Sequence, residues 1–498
     1  MADQEEPEGG QPGTGPIVLV SHRGPVQFGR EDGERTAERG GGGLVTALSG
    51  LAGQLSEALW VCAALTDEDT AVADEHDGGA FDVDDDGLAL RMVRVDPQAH
   101  EQFYGVIANP LLWFVQHELW SRSRNPDITR VEHDAFEQGY AAVNRDFANV
   151  VAEEVTARGG DATVLVHDYH FYLLPEMLRS ACPEVFIHHF VHVPWPQADS
   201  WRMLPPSMRD AVFTGLLGND VIGFHTQRFA RNFVLGCEEL LGMPVDIEQG
   251  TVSVDGRTVR ARAYPISIDT EEFEARASSP EVEEHREALS SIRREHLILR
   301  VDRTDPSKNI VRGFKAFGIL LDDHPELCER VNFLALLQPS RQDVEEYADY
   351  TERIRRVVAD VNLEHGSSDW QPIDLRLEEN LDQAVAAYTL FDVLMVNAIF
   401  DGMNLVAKEA ILVNQNDGVL ALSENTGAYE QLEEVAVTLY PFDLQQQADA
   451  LYEALTMPTE ERRRRREAAA ALVREYDVGR WLGDQFDDIR RWRASRSG

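Results

Sequence analysis

Short apolar segments alternate with longer helical stretches along nearly the whole chain of 498 residues, and this alternation constrains the fold more than any other feature. Each apolar segment has the length and composition of a buried strand. A repeated strand–helix rhythm predicts parallel sheets with helices on both faces, the doubly wound α/β class. The length suits roughly two or three domains, and we place a boundary near 264–269. The predicted strands are Ile17–Val20, Thr163–Val166, Val185–Phe190, Val221–Phe224, Leu297–Val301, Val331–Leu337, Val393–Val396 and Gly418–Leu422.

The segment Asp401–Glu409 follows a predicted strand and opens a predicted helix, which is a common position for a ligand site. Its sequence is DGMNLVAKE, and the strand before it, Val393–Val396, is apolar throughout. Ligands of open α/β sheets bind beyond the carboxyl ends of strands, and the first turn of a helix offers unpaired N–H groups to a phosphate. Asp401 can reach a sugar hydroxyl, and Glu409, about one to two turns into the helix, can reach a ribose. The alternative is an ordinary loop aspartate and a solvated helix glutamate.

A second candidate phosphate site follows the predicted strand Leu297–Val301. The loop after that strand reads DRTDPSKN and carries Arg303 and Lys308, with a proline between them, so both side chains can face one cleft. Arg offers a planar fork to phosphate oxygens, and Lys offers a mobile point charge. Lysine is rare in this chain, which contains only Lys308, Lys315 and Lys408, and two of the three lie in these two segments. A solvated Arg/Lys loop is the alternative interpretation.

Polar residues also end two predicted strands in the first half of the chain. Asp168 lies in the motif His167–His170, at the end of one strand, and His192 follows the next strand. The run Val-Pro-Trp-Pro after His192 is rigid and turn-forming, so it would present the imidazole to a cleft. For His188 and His189, which lie inside the second strand, we favour satisfied core histidines.

Together these segments resemble the trehalose-6-phosphate synthase family, which are retaining glycosyltransferases of the two-domain GT-B type. The resemblance extends from about Val18 to about Trp492. It implies an α/β fold of two Rossmann-like doubly wound domains that face a central cleft and close over the substrates. The motifs that carry the resemblance are, in chain order, His167–His170, His192–Pro196, Gly218–Thr226, Arg303 with Lys308, Pro339–Asp343 and Asp401–Glu409.

The resemblance also implies the activity: glucose moves from a nucleoside-diphosphate glucose to glucose 6-phosphate, which gives α,α-trehalose 6-phosphate. Arg303 and Lys308 would hold the donor diphosphate, Asp401 the donor glucose and Glu409 the donor ribose. His192 would lie near the donor glucose. The residues expected to be catalytic are Arg303, Lys308, His192 and Asp401. The expected donor-binding set is Gly42, Gly43, Arg303, Lys308, Asp401, Gly402, Met403, Asn404, Leu405, Val406 and Glu409.

For the acceptor, the resemblance implies a phosphate-binding pair of arginines and an aromatic wall. Arg23 and Arg341 would bind the acceptor phosphate, and Asp168 would bind the acceptor sugar. Tyr104 and Trp113 would line the pocket, since aromatic faces suit a sugar ring. The acceptor-binding set is therefore Arg23, Tyr104, Trp113, Asp168 and Arg341. The glycine run that includes Gly42 and Gly43 matches the family's flexible loop at the donor phosphates.

Three departures from the family pattern leave the acceptor and the donor base open. The second aromatic of a W-x-G-W segment is missing in Trp60–Ala64, Phe400 stands where many members have Arg, and Asn309 replaces the Gly that follows the lysine. One alternative is a related transferase that makes glucosylglycerol phosphate or couples a cyclitol phosphate. Another is a non-catalytic homologue that binds sugar phosphates. The donor base, uridine, guanosine or adenosine, also stays open.

The expected organisation is a leader, two domains and a closing helix. Residues 1–15 are rich in Gly, Pro and Glu and lack the basic start and apolar core of a signal peptide, so we expect a disordered leader. We expect an N-terminal acceptor-binding domain at 16–266 and a C-terminal nucleotide-sugar-binding domain at 267–476. The helix at 477–498 carries an apolar stripe, which by resemblance crosses back to the N-terminal domain. The acidic stretch 67–86 is expected to be an exposed loop.

Composition limits the partners. A formal net charge of −41 argues against binding to nucleic acids or to anionic membranes, because both need a basic surface. The four cysteines are scattered and have no metal-ligand spacing. No apolar run reaches the ~18 residues of a membrane span. We therefore expect a cytoplasmic enzyme with small-molecule substrates, no cofactor and no metal. Homo-oligomerisation is left open, and a separate trehalose-6-phosphate phosphatase is expected to consume the product.

Overall fold

The computed structural model describes residues 15–31, 33–39, 58–83, 88–342 and 344–496, which divide into two compact units. Unit 1 consists of the described residues of Met1–Gln116, Trp120–Tyr264 and Leu482–Gly498. Unit 2 consists of those of His117–Leu119 and Pro265–Trp481. Nearly all of the predicted leader lies outside the described residues, and so do Gly42 and Gly43 of the predicted donor-binding set.

The sheet of unit 1 places the first strand of the chain at its centre. Its strands are β1 (Ile17–Val20), β4 (Leu59–Ala63), β5 (Phe81–Asp82), β6 (Ala89–Val93), β7 (Thr163–His167), β8 (Phe186–Phe190), β9 (Val221–Phe224), β10 (Val245–Asp246), β11 (Thr251–Val254) and β12 (Arg257–Ala263), and a separate hairpin joins β2 (Val26–Glu31) to β3 (Glu34–Arg39). The order is β10-β11-β12-β9-β8-β7-β1-β4-β6-β5, and pairing is parallel from β12 to β6. The chain therefore moves outward from β1 to β6 and then returns to β7 on the other side of β1.

Helices of unit 1 connect these strands. The central parallel strands β1, β4, β7, β8 and β9 are buried along their whole length, as a sheet covered on both faces requires. The α-helices are α1 (Asp67–Glu75), α2 (Pro97–Glu101), α3 (Trp113–Gln116), α4 (Arg130–Ala135), α5 (Ala141–Ala157), α6 (Leu174–Ala181), α7 (Ala198–Trp201), α8 (Pro206–Leu216) and α9 (Gln227–Leu241), and the π-helical and 3₁₀ segments are Gln102–Leu112, Phe136–Tyr140 and Tyr169–Phe171.

The sheet of unit 2 is wholly parallel among the described residues. Its strands are β13 (His296–Arg303), β14 (Val331–Gln338), β15 (Ile373–Leu377), β16 (Val393–Val396), β17 (Val419–Ser423) and β18 (Val437–Leu439). Their order is β15-β14-β13-β16-β17-β18, which is the order 3-2-1-4-5-6 of the Rossmann fold when the strands are numbered along the chain. The two units thus share one topology, and the predicted doubly wound α/β class is confirmed in each.

Helices of unit 2 pack against this sheet through a core that includes Phe314, Phe317 and Phe333. The α-helices are α10 (Thr270–Ala277), α11 (Pro280–Ile292), α12 (Ile310–Asp323), α13 (Glu345–His365), α14 (Leu381–Leu390), α15 (Leu405–Val413), α16 (Tyr429–Leu432), α17 (Leu444–Thr456) and α18 (Thr459–Glu475), and short 3₁₀ turns cover Pro306–Lys308 and Pro325–Leu327.

The last helix, α19 (Val478–Arg496), buries the apolar stripe that the sequence predicts. From Leu482 onward its residues belong to unit 1. There the hydroxyl of Tyr264 donates to a carboxylate oxygen of Asp488 at 2.8 Å, and the guanidinium groups of Arg260 and Arg262 lie over the ring of Trp492. The buried members of the stripe are Trp481, Leu482, Phe486, Ile489 and Trp492.

One expectation about local structure is wrong. The stretch 67–86 was expected to be an exposed loop because it is acidic, but its first part forms α1. Thr66 caps this helix by accepting from the N–H of Asp69, and the Asp69 carboxylate accepts from the N–H of Thr66, which completes a capping box. Acidic residues in the first turn also interact favourably with the helix dipole, so acidity here favours a helix.

Candidate active site

The loops that follow β13 and β16 meet beyond the switch point of the unit 2 sheet. These two strands are neighbours although 89 residues (304–392) lie between the end of β13 and the start of β16, because the strand order reverses at β13. The ammonium group of Lys308, in the first loop, forms an ion pair with the carboxylate of Asp401, in the second. The N–H of Ile399 also donates to the carbonyl of Ser307 at 2.8 Å. Ligands of doubly wound sheets bind at this point.

Local hydrogen bonds give the Lys308 loop its shape. The Asp305 carboxylate accepts from the N–H of Ser307 at 2.9 Å and caps the 3₁₀ turn that ends at Lys308. Asn309 has φ of +58°, a left-handed conformation that Asn tolerates better than most residues. Its side-chain amide donates to the carbonyls of Asn397 at 3.0 Å and Pro441 at 2.7 Å. The loop is therefore held at both ends before any ligand binds.

The start of α15 offers backbone N–H groups beside Asp401. Asn404, with φ of +75°, caps the helix by accepting from the N–H of Ala407 at 3.2 Å, and its amide donates to Asp401 at 3.0 Å. The N–H groups of Leu405 and Val406 belong to the first turn, where a helix supplies no partner of its own. Gly402 and Met403 complete the loop between Asp401 and the helix. Such a helix start is suited to an anion.

The carboxylates of this region have pKa values shifted in opposite directions. Burial alone would raise the pKa of Asp401, but the ion pair and hydrogen bond with Lys308 outweigh it, so the pKa lies below its usual range. Burial raises the pKa of Glu409 to about 7, although a hydrogen bond from the hydroxyl of Tyr388 at 3.3 Å partly offsets this effect. Asp401 is thus ionised at neutral pH, whereas Glu409 is poised to gain or lose a proton.

Two arginines of the predicted site lie around the buried carboxylate of Asp305. Burial opposes its ionisation, but the charges of Arg341 and Arg303 outweigh burial and lower the pKa of Asp305 to about 2. Arg341 Nη1 lies 3.6 Å from Asp305 Oδ2 and donates to the hydroxyl of Tyr347, which in turn donates to Asp305 at 3.0 Å. Unit 2 therefore brings Arg303, Lys308 and Arg341 to one end of its sheet.

Unit 1 repeats the arrangement at its own switch point, between β1 and β7. Asp168 follows β7 with φ of +73°, and its carboxylate accepts from the N–H of His192 at 3.3 Å. The ring of His192 lies against that of His167, with Nε2 and Nδ1 3.2 Å apart. Burial, together with the neighbouring His225 and His167, lowers the pKa of His192 well below its usual value. His192 is therefore a neutral imidazole at physiological pH.

The loop after β1 carries Arg23, whose side chain is exposed, and it meets the aromatic residues of the predicted acceptor set. Tyr104 stacks on His22, with ring centroids 5.2 Å apart, and the ring of Trp113 lies 5.5 Å from that of Tyr169. Tyr169 follows Asp168 directly, so the predicted acceptor residues Arg23, Tyr104, Trp113 and Asp168 all lie at or beside this switch point. Arg341 belongs to unit 2.

Sequence reasoning missed a group of stacked histidines in unit 1. The ring of His22 stacks on those of His100 and His170, with centroid distances of 5.3 and 4.8 Å, and the Nε2 atoms of His22 and His100 are 3.0 Å apart. Burial and the other two histidines lower the pKa of His22 well below its usual value. Two of these histidines lie in or beside segments that the sequence analysis singles out: His170 ends the motif His167–His170, and His22 directly precedes Arg23. His188 and His189 are buried in the core, as predicted, and burial lowers their pKa values to about 3. They are not fully satisfied, however, because Nε2 of His188 and Nδ1 of His189 have no hydrogen-bond partner among the described residues.

Two further findings concern the predicted absences. Among the residues that the structure describes, the only cluster with a metal-like donor set comprises Asp322, Glu364 and His365, whose ligand atoms lie within 4.8 Å of one another. Its two carboxylate residues are exposed, and none of the three belongs to the predicted site. No described helix has the length and apolarity to cross a membrane.

Lys408, despite its place in the Asp401–Glu409 segment, is buried and donates to the carbonyl of Ile266 at 2.8 Å.

Two doubly wound units, each with residues gathered at its switch point, agree with the GT-B class of glycosyltransferases that the sequence resemblance implies. Comparison with known proteins identifies the family. The chain belongs to glycosyltransferase family 20, whose family model matches residues 16–491. The resemblance to trehalose-6-phosphate synthases that the motifs indicate is thereby confirmed.

Three relatives and one solved structure illustrate the similarity. The chain is 34% identical to the trehalose-6-phosphate synthase of Mycolicibacterium vanbaalenii, over 98% of this chain and 98% of that protein. It is 32% identical to alpha,alpha-trehalose-phosphate synthase [UDP-forming] 1 of Aspergillus fumigatus, over 97% and 91%. It is 31% identical to validamine 7-phosphate valienyltransferase of Streptomyces hygroscopicus subsp. jinggangensis, over 97% and 95%. The alpha,alpha-trehalose-phosphate synthase (UDP-forming) of Burkholderia xenovorans, solved in complex with glucose-6-phosphate, matches with a TM-score of 0.81 and 26% identity, over 96% of this chain and 100% of that chain.

Proposed function

We propose that this enzyme transfers glucose, with retention of configuration, from a nucleoside-diphosphate glucose to glucose 6-phosphate and so forms α,α-trehalose 6-phosphate. The observation that carries the proposal is the ion pair between Lys308 and Asp401 beyond the switch point of unit 2. It sets a cation for phosphate oxygens beside an ionised carboxylate for sugar hydroxyls. A nucleotide sugar presents both groups next to each other.

The donor half of the reaction uses the residues of unit 2. Arg303 and Lys308 neutralise the diphosphate, and the N–H groups of Leu405 and Val406 add the partial positive charge of a helix start. Asp401 accepts from hydroxyls of the donor glucose. Glu409 accepts from the ribose once it has lost its proton. Gly402, Met403 and Asn404 complete the proposed donor set, to which Gly42 and Gly43 are added on the family resemblance alone.

For the acceptor half we propose Arg23, Tyr104, Trp113 and Asp168, and Arg341 is added on the family resemblance. Exposed Arg23 is available to a phosphate, and the guanidinium of Arg341 is oriented by Tyr347 and Asp305. Two arginine forks suit the dianionic phosphate of glucose 6-phosphate. The ring of Tyr104 offers a flat apolar face to a pyranose.

The chemical step needs no nucleophile from the protein. The acceptor hydroxyl attacks the anomeric carbon from the face that the diphosphate leaves, and the departing phosphate oxygen takes the hydroxyl proton. Negative charge develops on that oxygen, and Arg303, Lys308 and the helix start of α15 stabilise it, which we expect to be the largest contribution. Neutral His192 can donate or accept a hydrogen bond at the donor glucose without adding charge. No metal or cofactor enters this scheme.

We infer that the donor base is uridine, since relatives from Aspergillus fumigatus and Burkholderia xenovorans are named as UDP-forming. We also propose a cytoplasmic location and a separate phosphatase that consumes the product.

A second candidate is transfer to a cyclitol phosphate. It is supported by the relative from Streptomyces hygroscopicus, whose name describes a valienyltransferase. A second observation also supports it. Trp60 is fully buried and its indole N–H donates to the hydroxyl of Ser21, and Ala63 stands where many family members have a second aromatic residue.

The test is an assay for release of nucleoside diphosphate. UDP-, GDP- and ADP-glucose are each combined with glucose 6-phosphate, glycerol 3-phosphate, a cyclitol phosphate or no acceptor. We expect release to depend on glucose 6-phosphate and to be fastest with UDP-glucose. Release with another acceptor only would transfer the assignment to that acceptor. Binding of nucleotide sugar without release from any pair would support the non-catalytic homologue.

A further inference from the structure

Arg300, on β13, is a buried charge close to the proposed donor site. Its side chain has no exposure to solvent. Burial of a guanidinium is costly unless the charge is paired and its donors find acceptors. The charge is paired, since Nε lies 3.0 Å from Oδ2 of Asp302 on the same strand. Because the side chain is buried, Arg300 does not itself contact a substrate, so any role in the reaction must act through its neighbours.

The remaining donors of Arg300 are aimed at the two loops that form the donor site. Nη2 donates to the carbonyl of Lys308 at 3.2 Å, and Nη1 donates to the carbonyl of Ile310 at 3.3 Å. Nη2 also donates to the side-chain oxygen of Asn397. One guanidinium thus binds the backbone on both sides of Asn309 and the residue that directly follows β16. No other side chain in the described hydrogen bonds of this region contacts all three.

Asn397 begins the segment that leads from β16 to Asp401, and it makes further hydrogen bonds. It is fully buried, and its amide donates to Gln447 at 2.7 Å while its carbonyl accepts from Asn309 at 3.0 Å. Helix α12 leaves room for the guanidinium because residue 313 is glycine: a Cβ there would lie 2.6 Å from Nη1 of Arg300. Gly313 therefore makes space for the guanidinium of Arg300. Core packing alone does not require this charge, because an apolar side chain of similar length could fill the same space.

We propose that Arg300 is a positioning residue for donor binding, which holds the backbone of Lys308 and the side chain of Asn397 so that Lys308 stays beside Asp401. The inference rests on the proposed function, because it takes Lys308 as a ligand of the donor diphosphate. It assigns the buried guanidinium to the geometry of the phosphate site, in addition to its part in the core. Loss of the guanidinium should therefore weaken binding of the donor and leave binding of the acceptor unchanged.

The test compares Arg300→Met with Leu299→Ala. Met replaces the stem of Arg300 without its donors, and Leu299 is a buried neighbour on β13 whose side chain points to the opposite face of the sheet. We expect Arg300→Met to weaken calorimetric binding of UDP and to lower kcat/KM for UDP-glucose by about 100-fold, since small misplacements of a binding group have effects of that size. The KM for glucose 6-phosphate should stay within about twofold, which corresponds to less than ~0.5 kcal/mol. Leu299→Ala should lower the urea midpoint and retain UDP affinity.

Two further variants keep the test decisive if Arg300→Met folds poorly. Asn397→Ala should reproduce the loss of UDP affinity, and the double variant should lose little more, because the two residues act as one unit. Arg300→Lys keeps the charge but offers no fork, so it should restore part of the affinity.

Three outcomes are separable. Arg300→Met with UDP affinity within about threefold of wild type, or Leu299→Ala with an equal loss, would overturn the inference. A wild type that binds UDP but transfers no glucose would overturn the proposed function alone, while the UDP affinities of the variants would still test Arg300. A wild type that binds none of UDP, GDP and ADP would overturn both.

Discussion

The ammonium group of Lys308 is paired with the carboxylate of Asp401, which lies 93 positions later in the chain. The two side chains are only 13% and 12% exposed, so the pair is largely shielded from water but can still be reached by a ligand. Lys308 is therefore held in place before the donor arrives, and its ammonium group does not have to be repositioned during the reaction. Groups that are set in advance in this way stabilise developing charge most effectively.

Removal of the Lys308 ammonium should abolish most activity. We expect Lys308→Ala to lower kcat by about 100- to 1,000-fold, the usual effect of removing one donor that stabilises developing negative charge. The measurement is the initial rate of nucleoside diphosphate release at saturating substrates. Lys315→Ala is the matched control, because Lys315 is exposed on α12. Near-normal turnover of the Lys308 variant would refute the assigned role.

Donor binding should release a proton from Glu409. Burial raises the pKa of this carboxyl to about 7, so near pH ~6.5 a large fraction is protonated. Ribose hydroxyls that donate to the carboxylate favour its ionised form, so bound UDP should lower the pKa and displace the proton. Calorimetry in two buffers of different ionisation enthalpy measures this release, and Glu409→Gln should eliminate it.

Lys408 is the neighbour whose titration must be separated from that of Glu409. Burial lowers the pKa of Lys408 to about 7, in the same range. An anionic ligand raises the pKa of an amine, so Lys408 would take up a proton when UDP binds, which is the opposite sign. The two effects oppose each other, so the difference between wild type and Glu409→Gln isolates Glu409. A wild type that releases no more protons than Glu409→Gln when UDP binds would contradict the role given to Glu409.

The sequence predicts best those features that depend on local pattern. The strands β1, β9 and β16 have the predicted limits, because each is a short apolar run buried on both faces. The error at 67–86 arose because acidity was taken as a sign of exposure, whereas the reciprocal hydrogen bonds of Thr66 and Asp69 make the same residues a helix start. Here local chemistry was decisive but was interpreted incorrectly.

The candidate site could be predicted only in part. Motifs indicated Lys308 and Asp401 as separate groups, and the sheet order explains why their loops meet. No spacing in the sequence indicates that Arg300 contacts Asn397 or that His22 stacks on His100 and His170, since these contacts join distant segments through the tertiary fold. The roles assigned to the site residues remain predictions that the experiments above test.

Asp392 should be one of the residues on which the stability of unit 2 depends most. Its buried carboxylate accepts from Arg293 at 2.5 Å, Arg462 at 2.9 Å and the N–H of Leu297 at 2.8 Å. Asp392→Ala leaves two guanidinium groups without their partner, which should cost about 3–5 kcal/mol. The urea midpoint measures the effect. Glu461→Ala removes a partly exposed partner of two arginines and should cause a far smaller change, so equal shifts in the two variants would contradict this account.

Salt should stabilise this protein against heat. The formal net charge of −41 makes the compact state repel itself, and the screening length falls from ~10 Å at 0.1 M salt to ~3 Å at 1 M. Salt also weakens exposed ion pairs such as Arg94–Asp74 and Arg474–Glu274, but each such pair contributes little. We therefore expect the Tm to rise between ~0.1 and ~1 M KCl.

Differential scanning calorimetry in KCl measures this rise, and an uncharged osmolyte at equal osmolality serves as the control, because excluded solutes stabilise proteins without screening charge. A rise in KCl that clearly exceeds the rise in the osmolyte would establish that screening is the cause. A Tm that stays level or falls in KCl would contradict this prediction. It would mean that the stabilisation from exposed arginine–carboxylate pairs is larger than the destabilisation from repulsion between the excess negative charges.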